Sequence, residues 1–95
     1  MTQFYGIEAE SLEEAQTKLR LHVGSNLRAL REMKGFSLAD VAKIVGKNPQ
    51  TIANYETGQS GLGYDMAWTL CGIYGVSIGT LGGRVNYEPP RGEPS

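Results

Sequence analysis

The sequence predicts an all-α fold of five helices, preceded by an additional N-terminal helical segment. Apolar residues recur at steps of three or four along most of the chain, which is the period of an amphipathic helix. The periodic segments begin mostly at serine or asparagine and end at glycine, residue types that cap helices. No alternating run of useful length predicts a β-sheet, and Phe4–Ile7 is expected to form at most a short edge strand.

The first predicted helix begins at Ser11, with Glu14 three residues later as its capping-box partner. Gly35 stands at the C-cap position. Between these caps runs an apolar stripe of Leu12, Ala15, Leu19, Val23, Leu27, Leu30 and Met33. Because the stripe passes through Gly24-Ser25, it fits either one long helix or two helices, the second capped by Ser25.

The second predicted helix covers Ser37–Val45. Ser37 is its N-cap, and Asp40 completes a capping box. Gly46 follows directly and supplies the backbone freedom that a tight turn requires. The sequence therefore predicts a short helix that ends in a sharp turn.

The third predicted helix covers 48–57, with Asn48 as its N-cap and Pro49 in the first turn, where a missing N–H costs nothing. A glycine-rich loop follows. The fourth helix is expected at Tyr64–Tyr74, and Ser77 caps a last short turn.

Three regions follow from this order of elements. Residues 1–22 are expected to be an N-terminal helical extension, and residues 23–82 a single domain. Residues 83–95 hold three prolines in their last seven positions, so they predict a flexible tail.

Composition limits the possible functions. A chain of 95 residues with a net charge of −1 allows one domain and argues against strong non-specific binding to nucleic acid. No apolar run is long enough to cross a membrane, and the acidic N-terminus does not resemble a secretory signal. The single cysteine, Cys71, excludes an internal disulfide and fits a reducing cytoplasm.

The sequence lacks the combinations of residues that form catalytic and metal sites. The only histidine, His22, has no neighbouring histidine or cysteine with which to hold zinc. The glycines of the loop at 58–63 are not followed by the Lys-Ser/Thr of a phosphate loop. Cys71 is interpreted as a small core residue. We therefore expect no enzyme activity, no metal and no cofactor.

One group of residues fits a helix-turn-helix. Ala42 is small enough to let two helices cross closely, Gly46 suits the turn, and Ile52 can fill the angle between the helices. Polar residues follow the turn at once, at the exposed start of the third helix. In DNA-binding helix-turn-helix proteins this end enters the major groove, and glutamine or asparagine there can bind adenine with two hydrogen bonds.

At this point the sequence resembles the phage repressor/Cro type of helix-turn-helix, the XRE family. The matching text is VGSNLRALREMKGFSLADVAKIVGKNPQTIANYETG, followed by the apolar trace of LCGIYGVSIGTLGG. The resemblance covers about two-thirds of the chain. It implies a five-helix, lambda-repressor-like domain that binds double-stranded DNA.

The resemblance also implies roles for single residues. The family's base-reading positions fall on Asn48, Pro49, Gln50 and Asn54. Positions expected at the DNA backbone are Ser37, Lys43, Lys47 and Thr51. Arg31 and Glu56 fall where family members often have a structural ion pair.

Some positions depart from the family pattern. Leu38 stands where many members have a polar residue, and the loop after the third helix reads Gln59-Ser60-Gly61 instead of being rich in lysine and arginine. Pro49 cannot form a hydrogen bond with a base edge. A weaker grip on phosphate is expected, and with it either modest affinity or dependence on dimerisation. The expected partner is a palindromic operator bound by a homodimer.

Several alternatives remain open in the sequence. Gln50, Asn54, Lys43 and Lys47 could be ordinary solvated residues. Tyr64, Met66 and Trp68 could belong to the core or to a partner surface, with core packing favoured for Trp68. The homodimer could form through the N-terminal helix, through Ile78–Leu81, or through both.

The function predicted from the sequence is a sequence-specific DNA-binding regulator, a small repressor. The alternative is a protein-interaction module or an antitoxin on the same fold. The acidic residues near the N-terminus would be repelled by phosphate and should point away from DNA: Glu8, Glu10, Glu13 and Glu14.

Overall fold

Five helices and one short hairpin make up the part of the chain that the structure, a computed structural model, describes: residues 2–4 and 7–82. The elements are β1 (Thr2–Phe4), β2 (Ile7–Ala9), α1 (Leu12–Met33), α2 (Leu38–Val45), α3 (Pro49–Glu56), α4 (Tyr64–Tyr74) and α5 (Gly79–Gly82). The predicted five-helix fold is confirmed. The predicted flexible tail, residues 83–95, lies outside the described residues.

The apolar stripe from Leu12 to Met33 belongs to one continuous helix of 22 residues, α1. Ser11 caps it as expected, because the Ser11 hydroxyl accepts a hydrogen bond from the Glu14 N–H at 3.1 Å. Ser25 is an exposed residue in the middle of α1, and the helix passes through it unbroken. The predicted N-terminal helical segment is therefore the first half of α1.

A two-stranded antiparallel hairpin precedes α1, so the helical extension predicted over residues 1–22 begins only at Leu12. Phe4 and Ile7, from the segment expected to form at most a short edge strand, each belong to one strand of this hairpin. Thr2 pairs with Ala9, and Phe4 pairs with Ile7. Each strand has three residues, which is too short for an alternating pattern to stand out in the sequence. β2 packs on α1, and Ala9 is buried with 1% of its surface exposed. Packing against α1 therefore stabilises a hairpin that the local sequence pattern did not predict.

The core lies between α1, α2, α3, α4 and α5. Its buried residues are Leu27, Leu30, Val41, Ala42, Ile52, Ala67, Leu70, Cys71, Tyr74 and Leu81. A buried hydrogen bond of 2.8 Å from the Asn26 side-chain nitrogen to the Leu81 carbonyl fastens α5 to α1. Cys71 is a core residue, as predicted, and burial raises the pKa of its thiol.

The expectation of core packing for Trp68 is wrong. The inward face of α4 carries Ala67, Leu70, Cys71 and Tyr74. Trp68 lies one residue after Ala67 and so is rotated by about 100° around the helix, away from the core. Half of its surface is exposed (51%), and Tyr64 one turn earlier is exposed at 70%.

An apolar cleft of about 260 Å³ opens beside α1. Leu19 and Val23 of α1 line one side, and Leu62, Ile78 and Leu81 line another. The cleft uses apolar residues that the sequence pattern assigned either to packing or to a dimer interface. Leu81 retains only 4% exposure, so the chain itself already covers it.

Candidate nucleic-acid interface

The turn between α2 and α3 has the geometry expected of a helix-turn-helix. Gly46 adopts φ 74° and ψ 31°, a left-handed conformation that favours glycine. The N–H groups of Gly46 and Lys47 both donate to the Ala42 carbonyl, the latter at 2.9 Å. Ala42 and Ile52 are each 1% exposed, so both lie in the core between the helices, as the sequence predicts.

Asn48 is the N-cap of α3. Its side-chain oxygen accepts hydrogen bonds from the Thr51 N–H at 2.9 Å and from the Thr51 hydroxyl at 3.1 Å. Pro49 occupies the first turn, as predicted. The capping contacts hold the start of α3 at the surface, where Asn48, Pro49 and Gln50 are all exposed.

The candidate base-reading side chains Gln50 and Asn54 contact each other. The Gln50 amide nitrogen donates to the Asn54 side-chain oxygen at 2.9 Å. This contact leaves the Gln50 oxygen as an acceptor and one Gln50 N–H as a donor. That combination is the one that adenine requires in the major groove, since adenine presents a donor at N6 and an acceptor at N7.

The four candidate backbone contacts differ in availability. Lys43, on α2, and Lys47, in the turn, are exposed cations. The Thr51 hydroxyl proton is directed to Asn48, so a phosphate would have to compete for it. Ser37 is engaged in a capping box, in which its hydroxyl accepts from the Asp40 N–H at 3.0 Å.

Asp40 changes what the start of α2 can bind. Its carboxylate accepts a hydrogen bond from the Ser37 N–H at 2.9 Å, and this bond lowers the carboxyl pKa. A carboxylate therefore already occupies the N-terminus of α2, where a phosphate could otherwise dock. This arrangement strengthens the expectation of a weak phosphate grip and leaves the two lysines as the main candidate cations.

The residues that the sequence predicts to form an ion pair do lie in contact. Arg31 Nε donates to Glu56 Oε2 at 2.6 Å, and Arg31 Nη2 donates to Glu56 Oε1 at 3.1 Å. A third Arg31 nitrogen donates to the Phe36 carbonyl at 2.8 Å, a contact that the sequence did not predict. The hydrogen bond with Glu56 raises the pKa of Arg31. The pair ties the end of α3 to α1 and is structural, because both side chains are largely buried.

Two features are absent from the described residues. Within 2–4 and 7–82, no group of three or more histidine, cysteine, aspartate or glutamate side chains could hold a metal ion. In the same part of the chain no helix has the length and apolar character needed to span a membrane.

Comparisons with known proteins agree with this geometry. A family model described as Helix-turn-helix matches residues 27–81, more than half of the chain. The chain is similar to the solved structure of the DNA-binding domain of BldD, with 25% identity, a TM-score of 0.62, and coverage of 68% of this chain and 94% of that one. It is also similar to the structure of the clp gene regulator ClgR from C. glutamicum, with 25% identity, a TM-score of 0.62, and coverage of 66% of this chain and 82% of that one. No curated protein matches the sequence. The chain belongs to the helix-turn-helix family, with a domain of the XRE type.

Proposed function

We propose that this protein is a DNA-binding transcriptional regulator that recognises its operator with α3. In detail, it is a small repressor of the phage repressor/Cro type, working in the cytoplasm. Its operator is a palindrome read by a homodimer, with half-sites about 34 Å apart. The two similar solved structures, from a DNA-binding domain and a gene regulator, support the proposal.

The observation that carries the proposal is the Gln50–Asn54 contact on the exposed side of α3. Side-chain amides that bind each other are fixed in orientation before DNA arrives. Gln50 then keeps one acceptor and one donor for a base edge, while Asn54 supports it from the next turn. Lys43 and Lys47 are the exposed cations nearest to α3 along the chain.

The first test is selection of bound sequences from a random DNA pool, followed by affinity measurement with Gln50→Ala. We expect the pool to yield a palindrome. We expect Gln50→Ala to weaken operator binding by about 1–3 kcal/mol, the usual worth of one bidentate contact, and to leave binding to scrambled DNA unchanged. Gln16→Ala is the matched control, because Gln16 is an exposed helical glutamine on α1.

Unchanged affinity in a folded Gln50 variant would mean that α3 does not read DNA. An equal loss in the Gln16 variant would mean that the effect of Gln50→Ala is not specific to α3. Gln50→Glu adds a further check. It keeps the acceptor but removes the donor, so the preferred base should change from adenine toward cytosine, whose exocyclic amine can donate to a carboxylate.

The proposed contact of Lys47 with the DNA backbone is tested by measuring affinity at a series of salt concentrations. We expect Lys47→Ala to weaken binding to operator and scrambled DNA alike, and to reduce the slope of affinity against salt by about one. Lys18→Ala is the control, since Lys18 pairs with Glu14 on α1 at 2.9 Å. An unchanged salt slope in the Lys47 variant would remove Lys47 from the interface.

A second candidate is a protein-interaction module, or an antitoxin, on the same fold. The net charge of −1 favours it, because few cations are available to neutralise phosphates. The salt dependence of binding distinguishes the two functions. DNA binding should weaken steeply as salt rises, whereas an apolar contact with a protein should not.

A further inference from the structure

The apolar cleft beside α1 has the character of a small-molecule site. Its walls come from α1, α3, α4 and α5 and from the loop between α3 and α4. Several of its apolar side chains, among them Val23, Leu62 and Ile78, are only half-buried, so they present apolar surface to water inside a concave site. Sites for small ligands are concave, mainly apolar, and carry a few polar groups that fix the orientation of the ligand.

One cation stands at this cleft. Among the described residues that line it, Arg20 of α1 is the only charged one. The Arg20 side chain extends toward the loop, where its Cδ lies 3.9 Å from a side-chain carbon built on Gly61. Other cations of α1 each pair with a glutamate: Lys18, Arg28 and Arg31. No described residue pairs with Arg20, so its guanidinium keeps all its donors for an anion.

Two hydroxyl groups complete the polar part of the cleft. Tyr55 of α3 and Ser60 of the following loop both line it. Within residues 2–4 and 7–82, neither hydroxyl has a hydrogen-bond partner. Both hydroxyls can donate to an anion. The described lining therefore combines apolar walls with three side chains that can donate hydrogen bonds, and it holds no carboxylate that would repel a negative charge.

The volume of the cleft limits the size of its ligand. At about 260 Å³ the cleft is smaller than most ligand pockets, which measure ~300–1,000 Å³. An apolar cavity of about 150 Å³ holds benzene, so this cleft has space for on the order of ten non-hydrogen atoms. Its one cation matches the single charge of a carboxylate better than the charge of a phosphate group, which approaches −2 at neutral pH.

We propose that the cleft binds a small organic carboxylate with an apolar chain. The carboxylate pairs with the planar guanidinium of Arg20, a geometry in which two parallel hydrogen bonds form. The chain lies on Val23, Leu62 and Ile78 and removes their apolar surface from water. Because Tyr55 belongs to α3, the ligand contacts the helix that carries the proposed DNA-reading residues. The binding itself needs no DNA, so the inference goes beyond the proposed function.

Octanoate is a suitable probe, since its size fits the volume of the cleft. It is titrated into the isotope-labelled chain without DNA, and the chemical shifts of the backbone amides and side-chain methyl groups are followed by NMR. We expect saturable shifts at the residues that line the cleft, with a Kd of about 1 mM, because a ligand of this size reaches only modest affinity. Acetate has the charge without the chain and should cause no saturable shift.

Two arginine variants test the contact with the carboxylate. Arg20→Met keeps the apolar stem but removes the charge, and it should weaken octanoate binding about fivefold, the upper end of what an exposed ion pair contributes. Its affinity for 1-octanol, a neutral ligand with the same chain, should stay within about twofold of wild type. Arg28→Met is the matched control, because Arg28 is an exposed arginine on α1 outside the cleft. This variant should bind octanoate like wild type.

Three results would overturn the inference. The first is the absence of saturable shifts at the lining residues up to about 10 mM octanoate, ten times the expected Kd. The second is a folded Arg20→Met variant that binds octanoate as tightly as wild type. The third is a shift of the lining residues that grows with protein concentration in the absence of ligand, since it would assign the cleft to a second copy of the chain. None of these measurements includes DNA, so their outcome is independent of the proposed function.

Discussion

Gly24 lies where α1 touches the carbonyl end of α3. A side-chain carbon built on Gly24 would lie 2.5 Å from the Glu56 carbonyl oxygen and 2.6 Å from that of Tyr55, both of them backbone atoms. Neither oxygen can move away without moving α3. The glycine is therefore required by a tertiary contact, although it lies inside a helix where alanine would ordinarily be favoured.

We expect Gly24→Ala to lower the free energy of unfolding by about 1–3 kcal/mol, the typical cost of overpacking. Urea unfolding measures the change. Gly72→Ala is the matched control. It also replaces a glycine inside a helix, but nothing lies within 4 Å of the added carbon. At concentrations where the chain is monomeric it should raise stability by about 0.5–1 kcal/mol. A stabilised Gly24→Ala variant would contradict the close contact between α1 and α3.

At the scale of elements, the capping box of α2 links stability to pH. The hydrogen bond from the Ser37 backbone lowers the pKa of Asp40 in the folded chain. The carboxylate therefore stabilises α2 at pH values above its unfolded pKa of about 3.9. That contribution is lost as the pH falls through the lower, folded-state pKa.

We expect Asp40→Asn to lose less stability than wild type when the pH is lowered from about 5 to about 2, since the variant has no carboxyl to protonate at the cap. Thermal unfolding across this pH range gives the comparison. Other carboxyl groups titrate in both proteins, so the difference between the two curves isolates Asp40. Parallel curves would show that the capping carboxylate does not contribute.

Helix boundaries are the part of the fold that the sequence predicts well. Ser11, Ser37, Asn48, Gly46 and Gly75 all act at the helix ends where their residue types predict them. Caps are local, because each needs only a backbone group two to four residues away. The sequence did not predict the hairpin, left the continuity of α1 through Gly24 open, and wrongly favoured core packing for Trp68. Each of these features depends on which elements pack together.

At the scale of the whole molecule, Arg31 and Glu56 join α1 to the end of α3. The distance of 25 residues along the chain between them could not predict contact, and only the resemblance to a family did so. The Gln50–Asn54 contact differs, because a four-residue step on one helix brings two side chains together in any sequence context. Their roles toward DNA remain predictions.

Removing one partner of the Arg31–Glu56 ion pair should lower the free energy of unfolding more than replacing both partners by apolar residues. We expect Glu56→Ala to lower the free energy of unfolding by about 3–5 kcal/mol, because it leaves the Arg31 charge largely buried without its partner. The double variant Arg31→Met with Glu56→Leu should recover most of that loss. A double-mutant cycle by urea unfolding, with Arg31→Met and Glu56→Leu as its single variants, measures the coupling between the two residues. Additive effects would show that the pair contributes no coupling energy.

The contact of α3 with Gly24 and Arg31 has a consequence for motion. α3 has eight residues, and a helix of that length is not stable by itself in water. Its backbone amides should therefore exchange with deuterium in the same cooperative opening as the α1 amides around Gly24, instead of by separate fraying. The protein would then meet its target as a rigid body, and the entropy lost on binding would fall on exposed side chains such as Lys43 and Lys47 while the backbone of α3 stays as it is.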